Sequence, residues 1–499
     1  MQSKIHLRRT GLIVFSARIL SIFTGMLFLV MITGWLSPTK FGLWEVILSY
    51  VAFASYPSYW LGFWATREIA RGRMIGRTVV LMNLVFSVGA ACAFLAYSIM
   101  SYSRFQASFA PFLLAVMLIP LVYWNQAVNS VASGYRPEAV GYSILFSETS
   151  KLLVAYVALF IFKLGINGAI LGVVASYVGQ GLVITALVGG AVSEPLSLEA
   201  GRRWISDSWV PAFNSLGTTI SSADTVAASL VTGGTLLTGY YQAAFQIGLI
   251  VSYSMYLSSG LYPLLLRGSS DATANVTLDL ILMFGMPMAV VVIVLAPRLL
   301  ALLSPAYVAA GNNVSLALCI LALYGLVSAI SGFFDSTLMG KETADLVAGR
   351  DFRTYLGSAF SFVAAVNLGY AIAYIASVIL TTGLGTALGL SISAIVVVWA
   401  ACQVGLLVVA VLVKLRRLRK AVALRLPSSL PKYLLASLVM TCSLYLLSSL
   451  SFPGSAGRLV DGVRILGIAT AGAGVYFILL ILVDGKSRRL ASEFLHKFS

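Results

Sequence analysis

The chain has 499 residues, of which 59% are apolar or aromatic and only 10% charged, and its 33 Lys and Arg against 17 Asp and Glu leave a formal net charge of +16. A water-soluble domain carries about 45–50% apolar and about 25% charged residues, so this composition lacks the polar surface to cover a core in water. With a mean hydropathy of +0.95, the chain reads as an integral membrane protein with nothing left over for a soluble domain. Its two histidines, His6 and His496, lie at opposite ends, which removes histidine metal sites and Ser/His or Cys/His nucleophiles and argues against a hydrolase. Cys92, Cys319, Cys402 and Cys442 fall in apolar runs without CxxC spacing and read as small packing residues. No cofactor is expected.

A bilayer span needs about 20 apolar residues, and hydropathy predicts an all-α chain of fourteen such segments. The first, at about 11–34, carries Arg18 and is too long for a cleavable signal, so it is expected to be a permanent helix. The second to fourth follow at about 43–66, 79–101 and 109–132. The fifth, about 143–162, carries Glu148 and Lys151; the sixth is at about 167–189; the seventh, about 209–231, carries Asp224. Tyr240, Tyr241 and Gln242 open the eighth, at about 239–266, and the ninth lies at about 279–303. Asp335 lies near the end of the tenth, about 313–339, and the last four fall at about 357–380, 384–413, 430–452 and 463–484.

Positively charged loops are retained on the cytoplasmic side. With the N-terminus inside, the cytoplasmic segments hold 25 of the 33 Lys and Arg residues and the outer loops six, with Arg18 and Lys151 inside helices. The asymmetry favours an even number of crossings, with both termini cytoplasmic and the chain in the cell membrane. The basic charge lies in short loops, including the run from Lys414 to Lys432, so attraction to anionic headgroups explains it better than nucleic acid does.

Three short matches recur in order. Gly42, in LSPTKFGLW, matches Gly239, in GTLLTGYY, at an offset of 197; Gly134 matches Gly340 at 206; GAILG at 168–172 matches GTALG at 385–389 at 217. Matches in this order suggest two six-helix bundles of equal orientation around a central cavity, followed by two extra helices, an arrangement that suits alternating access. The expected organisation is a first bundle at 1–189, a cytoplasmic linker at 190–208, and a second bundle at 209–413. A basic cytoplasmic loop at 414–429 and a terminal helix pair with a basic tail at 430–499 complete it.

The stretch FSARILSIFTGMLFLVMITGWLSPTKFGLWEV, residues 15–46, resembles the opening of Wzx-type polysaccharide exporters, members of the multidrug/oligosaccharidyl-lipid/polysaccharide (MOP) superfamily. SGYRPEAVGYSILFSETSKLL at 133–153 and SADTVAASLVTGGTLLTGYYQAAFQI at 222–247 are similar to further segments of that family. The eleventh helix differs from the family pattern, with Asn367 alone and no proline. The resemblance implies two bundles forming a V-shaped cavity. It also implies movement of a polyprenyl-linked oligosaccharide from the cytoplasmic to the outer leaflet, without enzymatic chemistry. A monomer is expected, with membrane lipids around it and glycan-assembly enzymes as candidate associates.

Such a transporter must carry an anionic phosphate or diphosphate past hydrocarbon, and an ionisable residue inside the membrane is a functional candidate by default. Arg18, whose planar fork suits phosphate, and Lys151 with Glu148 are the expected headgroup-binding residues; snorkelling of Arg18 and mutual neutralisation of the Glu148–Lys151 pair are the bland alternatives. Glu148 and Asp224 are candidates for proton or sodium coupling, because the seventh helix holds no Lys or Arg and desolvating a lone carboxylate is costly. Asp335 is expected to be a cytoplasmic gate, Tyr240, Tyr241 and Gln242 to be sugar contacts, and Glu45 to be solvated. Two rival readings remain open: a drug or organic-cation exporter of the same superfamily, and a polytopic glycosyltransferase or polymerase.

Overall fold

The computed structural model describes residues 7–73, 75–105, 108–192, 196–258, 271–340, 357–425, 427–450, 457–485 and 488, with the side chains of 7–16, 18, 19, 210, 257, 258, 271, 272 and 459 left aside. His6, His496, Lys341 and both chain ends lie outside the described residues. Every regular element among the described residues is helical. Among the described residues, ten helical segments are long and apolar enough to cross a membrane, which makes this a multi-pass membrane protein. The packing divides the chain into two compact units, Met1–Gly239 and Tyr240–Ser499.

In the first unit α1 (Leu7–Trp35) is followed by α2 (Pro38–Ser55) and α3 (Pro57–Ala70). Ser37 caps α2 by accepting the Lys40 backbone N–H, and Pro38 takes the first turn, where its missing donor costs nothing. Pro57 then breaks the predicted second span, since it has no N–H to continue the helix; the Ser58 hydroxyl donates to the Ser55 carbonyl at 2.7 Å and satisfies part of the interruption. Next come α4 (Gly76–Tyr102), α5 (Ala110–Ala115), α6 (Leu118–Tyr135), α7 (Glu138–Tyr156) with a π turn at Val157–Ile161, and α8 (Ile166–Val192). Helix α7 packs against both α1 and α8, and α6 against α3, α4 and α8.

The stretch predicted as a linker contains α9 (Leu198–Asp207). Ser197 caps it, and Trp204, 1% exposed, packs into a core with Leu61, Ala65, Ile69 and Val131. Glu68 fixes the same helix, accepting from Arg203 at 2.7 Å and from the Trp204 indole N–H at 3.2 Å. The predicted seventh span is divided into α10 (Trp209–Ser221) and α11 (Asp224–Thr232), which Gly233 ends in a left-handed conformation (φ 67°).

Helix α12 (Leu236–Gly248) follows, continued as a 3-10 helix at Leu249–Ser258. At its start lies a close backbone approach to α2: a Cβ on Gly42 would collide with the Thr235 carbonyl, and one on Gly239 with the Pro38 carbonyl. Thr235 Oγ1 also donates to the Thr39 carbonyl at 2.8 Å. Gly42 and Gly239 are the two glycines matched by the 197-residue offset, and each leaves room for the backbone one turn before the other.

The second unit continues with α13 (Asp271–Val294), α14 (Ala296–Leu303), α15 (Pro305–Ala309), α16 (Asn312–Gly340), α17 (Ala359–Ala387), α18 (Ile392–Ala421), α19 (Leu430–Leu450) and α20 (Arg458–Val483). Helix α16 packs against α13, α18 and the 3-10 helix, and α18 against α17. Tyr241 stacks on Trp399 with centroids 3.7 Å apart, both fully buried. The basic loop expected from residue 414 begins later, because α18 continues to Ala421.

The ten spans among the described residues are fewer than the fourteen segments read from hydropathy, although each predicted segment meets helix. The four that fall short are the first, of which Leu20–Trp35 is apolar, the second and seventh, each interrupted, and the eighth, which turns 3-10 and then leaves the described residues.

Candidate functional site

Glu148 and Lys151 stand three residues apart on α7 and so share a face. Lys151 Nζ lies 2.6 Å from Glu148 Oε2, each side chain being 14% exposed. The face they share is turned to α1. Thr24 Oγ1 donates to the same carboxylate oxygen at 2.7 Å, and the Lys151 ammonium lies 5.3 Å from the centroid of the Phe28 ring, within cation–π range. Thr24 and Phe28 are one turn apart on α1, so one stripe of that helix receives both charges.

Small hydroxyl residues surround the pair and let α7 and α8 approach closely. The Ser147 and Ser176 hydroxyls are 2.6 Å apart, and the Ser150 hydroxyl donates to the Ala175 carbonyl at 3.2 Å. The arrangement is a nearly desolvated cation held by one carboxylate and one aromatic face. An ammonium has three donors, so an incoming oxyanion can take the carboxylate's place without a second cation. Released from Lys151, Glu148 still keeps the Thr24 hydroxyl.

The other predicted residues have surroundings of their own. Arg18 lies on α1, six residues before Thr24, and its side chain is outside the described residues. Asp224 is 92% buried and stands at the first turn of α11, directly after the interruption at Ser222 and Ala223. Its Oδ1 accepts the Thr225 N–H at 2.6 Å. A carboxylate in the first turn meets the unsatisfied N–H groups and the positive end of the helix dipole, a local stabilisation that a continuous seventh helix would not offer. Thr225 is also hydroxyl-bonded to Ser49 of α2.

Tyr241 is fully buried in the second unit, where its hydroxyl donates to Gln403 and lies 3.0 Å from that of Tyr374. Tyr240 meets Tyr307 edge-on at 6.0 Å, and Gln242 is buried. Tyr241 therefore serves the packing of the second unit in this structure rather than presenting a polar aromatic surface. Asp335, on α16, is bonded to Lys414 of α18 at 2.7 Å and lies in a separate cluster within the second unit.

Sequence reasoning missed several of these contacts. Thr24 and Phe28 carry no charge and gave no signal in a search for ionisable residues. Glu45 is buried, 7% exposed, because it lies on the packed face of α2, where solvation was expected. Lys414 was counted with the basic run, yet Gln403, Leu407, Ala410, Lys414 and Leu418 form one buried stripe at helical spacing, a periodicity present in the sequence.

No protein-family model matches the chain, and no curated protein sequence matches it. Solved structures do. The chain is similar in fold to lipid II flippase MurJ in an inward closed conformation, with a TM-score of 0.64 and 15% identity over 94% of this chain and 98% of that one. It is also similar to a multidrug resistance MATE family transporter of the MOP superfamily in an inward-facing conformation, with a TM-score of 0.57 and 12% identity over 80% of this chain and 95% of that one. A MATE structure in complex with MaD5 matches with a TM-score of 0.53 and 13% identity, over 84% of this chain and 99% of that one. The polytopic helical fold of this chain is the one shared by these solved structures.

Proposed function

We propose that the chain is a flippase that moves a polyprenyl-phosphate- or polyprenyl-diphosphate-linked oligosaccharide from the cytoplasmic to the outer leaflet by alternating access, in the manner of the Wzx-type exporters its sequence resembles. The observation that carries this reading is the half-buried Lys151 ammonium, paired with Glu148 inside a helix long enough to span the membrane. The likeness to a lipid II flippase over nearly the whole of both chains supports it. The MATE likenesses cover less of this chain.

In this account fourteen segments cross the cell membrane with both termini cytoplasmic, as the lysine and arginine asymmetry favours. The phosphate of the headgroup displaces Glu148 from Lys151, so the ammonium keeps an anionic partner while the freed carboxylate keeps the Thr24 hydroxyl. Arg18 adds a planar donor fork on the same helix as Thr24 and Phe28. Glu148, freed from its partner, and Asp224 are the carboxylates available to couple transport to a proton or sodium gradient.

A second reading, an organic-cation exporter of the MATE kind, draws on those similar structures and on Glu148 as a carboxylate within a membrane-spanning helix. The two readings differ in which charge binds. Purified protein is titrated with polyprenyl diphosphate and with tetraphenylphosphonium while its melting temperature is followed. The lipid reading expects stabilisation by polyprenyl diphosphate that disappears in Lys151→Met. Stabilisation by tetraphenylphosphonium alone, lost in Glu148→Gln and retained in Lys151→Met, refutes it in favour of the exporter.

A further inference from the structure

The second unit holds a buried cation that the transport account does not use. Lys414 is 1% exposed, although a lysine near a helix end ordinarily extends its amine to water. Its Nζ lies 2.7 Å from Asp335 Oδ1, 2.9 Å from Asp335 Oδ2 and 2.9 Å from Ser331 Oγ. Asn367 of α17 donates its side-chain amide to Asp335 Oδ2 at 3.4 Å. Three helices, α16, α17 and α18, thus contribute to one polar cluster in an otherwise apolar packing layer.

Around the nitrogen are two carboxylate oxygens and one hydroxyl oxygen, a hard donor set surrounding one positive charge. Hard cations take such ligands. What distinguishes this site is that the charge comes attached to the chain. Arg417, one turn along α18, is engaged elsewhere: it lies over the Phe362 ring at 4.6 Å and donates to the Gly357 carbonyl at 3.4 Å. On α13, Asp279 accepts from the Tyr433 hydroxyl at 2.8 Å. Among the described residues, Lys414 is therefore the cation that neutralises Asp335.

We propose that Lys414 is a tethered cation filling a monovalent-cation site built by Asp335 and Ser331, so that the second unit takes no free sodium at this position. The lysine removes the need for an ion to be captured from solution, at the cost of making this site non-exchangeable. The proposal narrows the choice of coupling ion in the function proposed above, but the binding claim stands without that reading.

The test is cation-dependent stability of the full chain in detergent. Lys414→Ala opens the space of the ammonium and its stem and leaves Asp335 uncompensated. Its melting temperature is expected to fall, then to recover by about 3 °C in about 150 mM sodium chloride or methylammonium chloride relative to choline chloride at equal ionic strength. The wild type shows no such difference, and Lys414→Ala/Asp335→Asn loses the recovery because the anionic ligand is gone. Identical melting of folded Lys414→Ala in all three salts overturns the proposal, as does a sodium-specific shift of the wild type that Asp335→Asn abolishes. Should Lys414→Ala not accumulate, Lys414→Met, which keeps an apolar stem, is measured in the same salts and judged by the same criterion. Failure here leaves untouched the difference in lipid binding between wild type and Lys151→Met, so the two proposals fall separately.

Discussion

Breaking the Glu148–Lys151 pair from one side exposes how far its two charges depend on each other. Glu148→Gln keeps the side-chain size and a partner for Thr24 but leaves the Lys151 ammonium without an anionic partner. Removing one member of a buried pair costs about 3–5 kcal/mol. Each side chain here retains 14% exposure, so residual water lowers the expected loss to about 2–3 kcal/mol. Lys151→Met, which preserves the stem, is expected to cost about as much. The double variant Glu148→Gln/Lys151→Met should cost clearly less than the sum, with a coupling of about 2 kcal/mol. Exchanging the two charges, Glu148→Lys with Lys151→Glu, keeps the three-residue spacing and should recover most of the stability. Equilibrium unfolding in mixed detergent micelles measures all four. Additive single losses, with a coupling below about 0.5 kcal/mol, would refute the idea that the pair is a coupled unit. The exchanged variant further separates roles: a merely structural pair tolerates it, whereas a headgroup site loses binding of polyprenyl diphosphate because the ammonium has moved along α7.

Five further substitutions address the scaffold. Gly42→Ala and Gly239→Ala each place a Cβ against backbone carbonyls of the facing segment, so each should destabilise by about 1–3 kcal/mol in the same unfolding assay; a neutral result would mean that the α2–α12 approach is looser than described. Trp204→Ala should cost about 3–5 kcal/mol by emptying a fully buried indole site, while Glu68→Gln should chiefly raise tryptic cleavage at Arg202 and Arg203, with unchanged cleavage arguing that the carboxylate does not hold α9. Lys163 adopts a left-handed φ of 55°, so Lys163→Gly should stabilise by about 1 kcal/mol, read as a small rise in melting temperature; a fall would show that its side chain matters more than its backbone.

Much of the helical fold was legible because membrane solvent imposes one rule on every span: about 20 apolar residues with their backbone bonds satisfied internally. What hydropathy averages away are interruptions. Pro57 was visible in the sequence, yet the apolar run continues through it, and Ser222–Ala223 carries no breaker at all, so the division of the seventh segment before Asp224 could not be read from composition. The amphipathic α9 was hidden for the opposite reason, being too polar to register as a span. Within the candidate site, the Glu148–Lys151 contact followed directly from helical spacing. The roles of Thr24 and Phe28 depended on which face of α1 meets α7, a matter of tertiary packing. Lys414 shows a local charge density overruling a periodic signal: six basic neighbours drew attention from the stripe that buries it. The match between Gly42 and Gly239 was weak as sequence, but the structure gives both glycines the same physical reason to lack a side chain.

The most direct measurement is leaflet exchange in proteoliposomes containing a fluorescent polyprenyl-diphosphate oligosaccharide, followed by quenching from outside with and without proton and sodium gradients. The account predicts that wild-type protein makes nearly all of the label accessible to quencher, while Lys151→Met, folded and reconstituted equally well, leaves the inner-leaflet fraction protected. Exchange that is as fast with Lys151→Met as with wild type, or wild-type vesicles that move organic cations and leave the lipid in place, would contradict it.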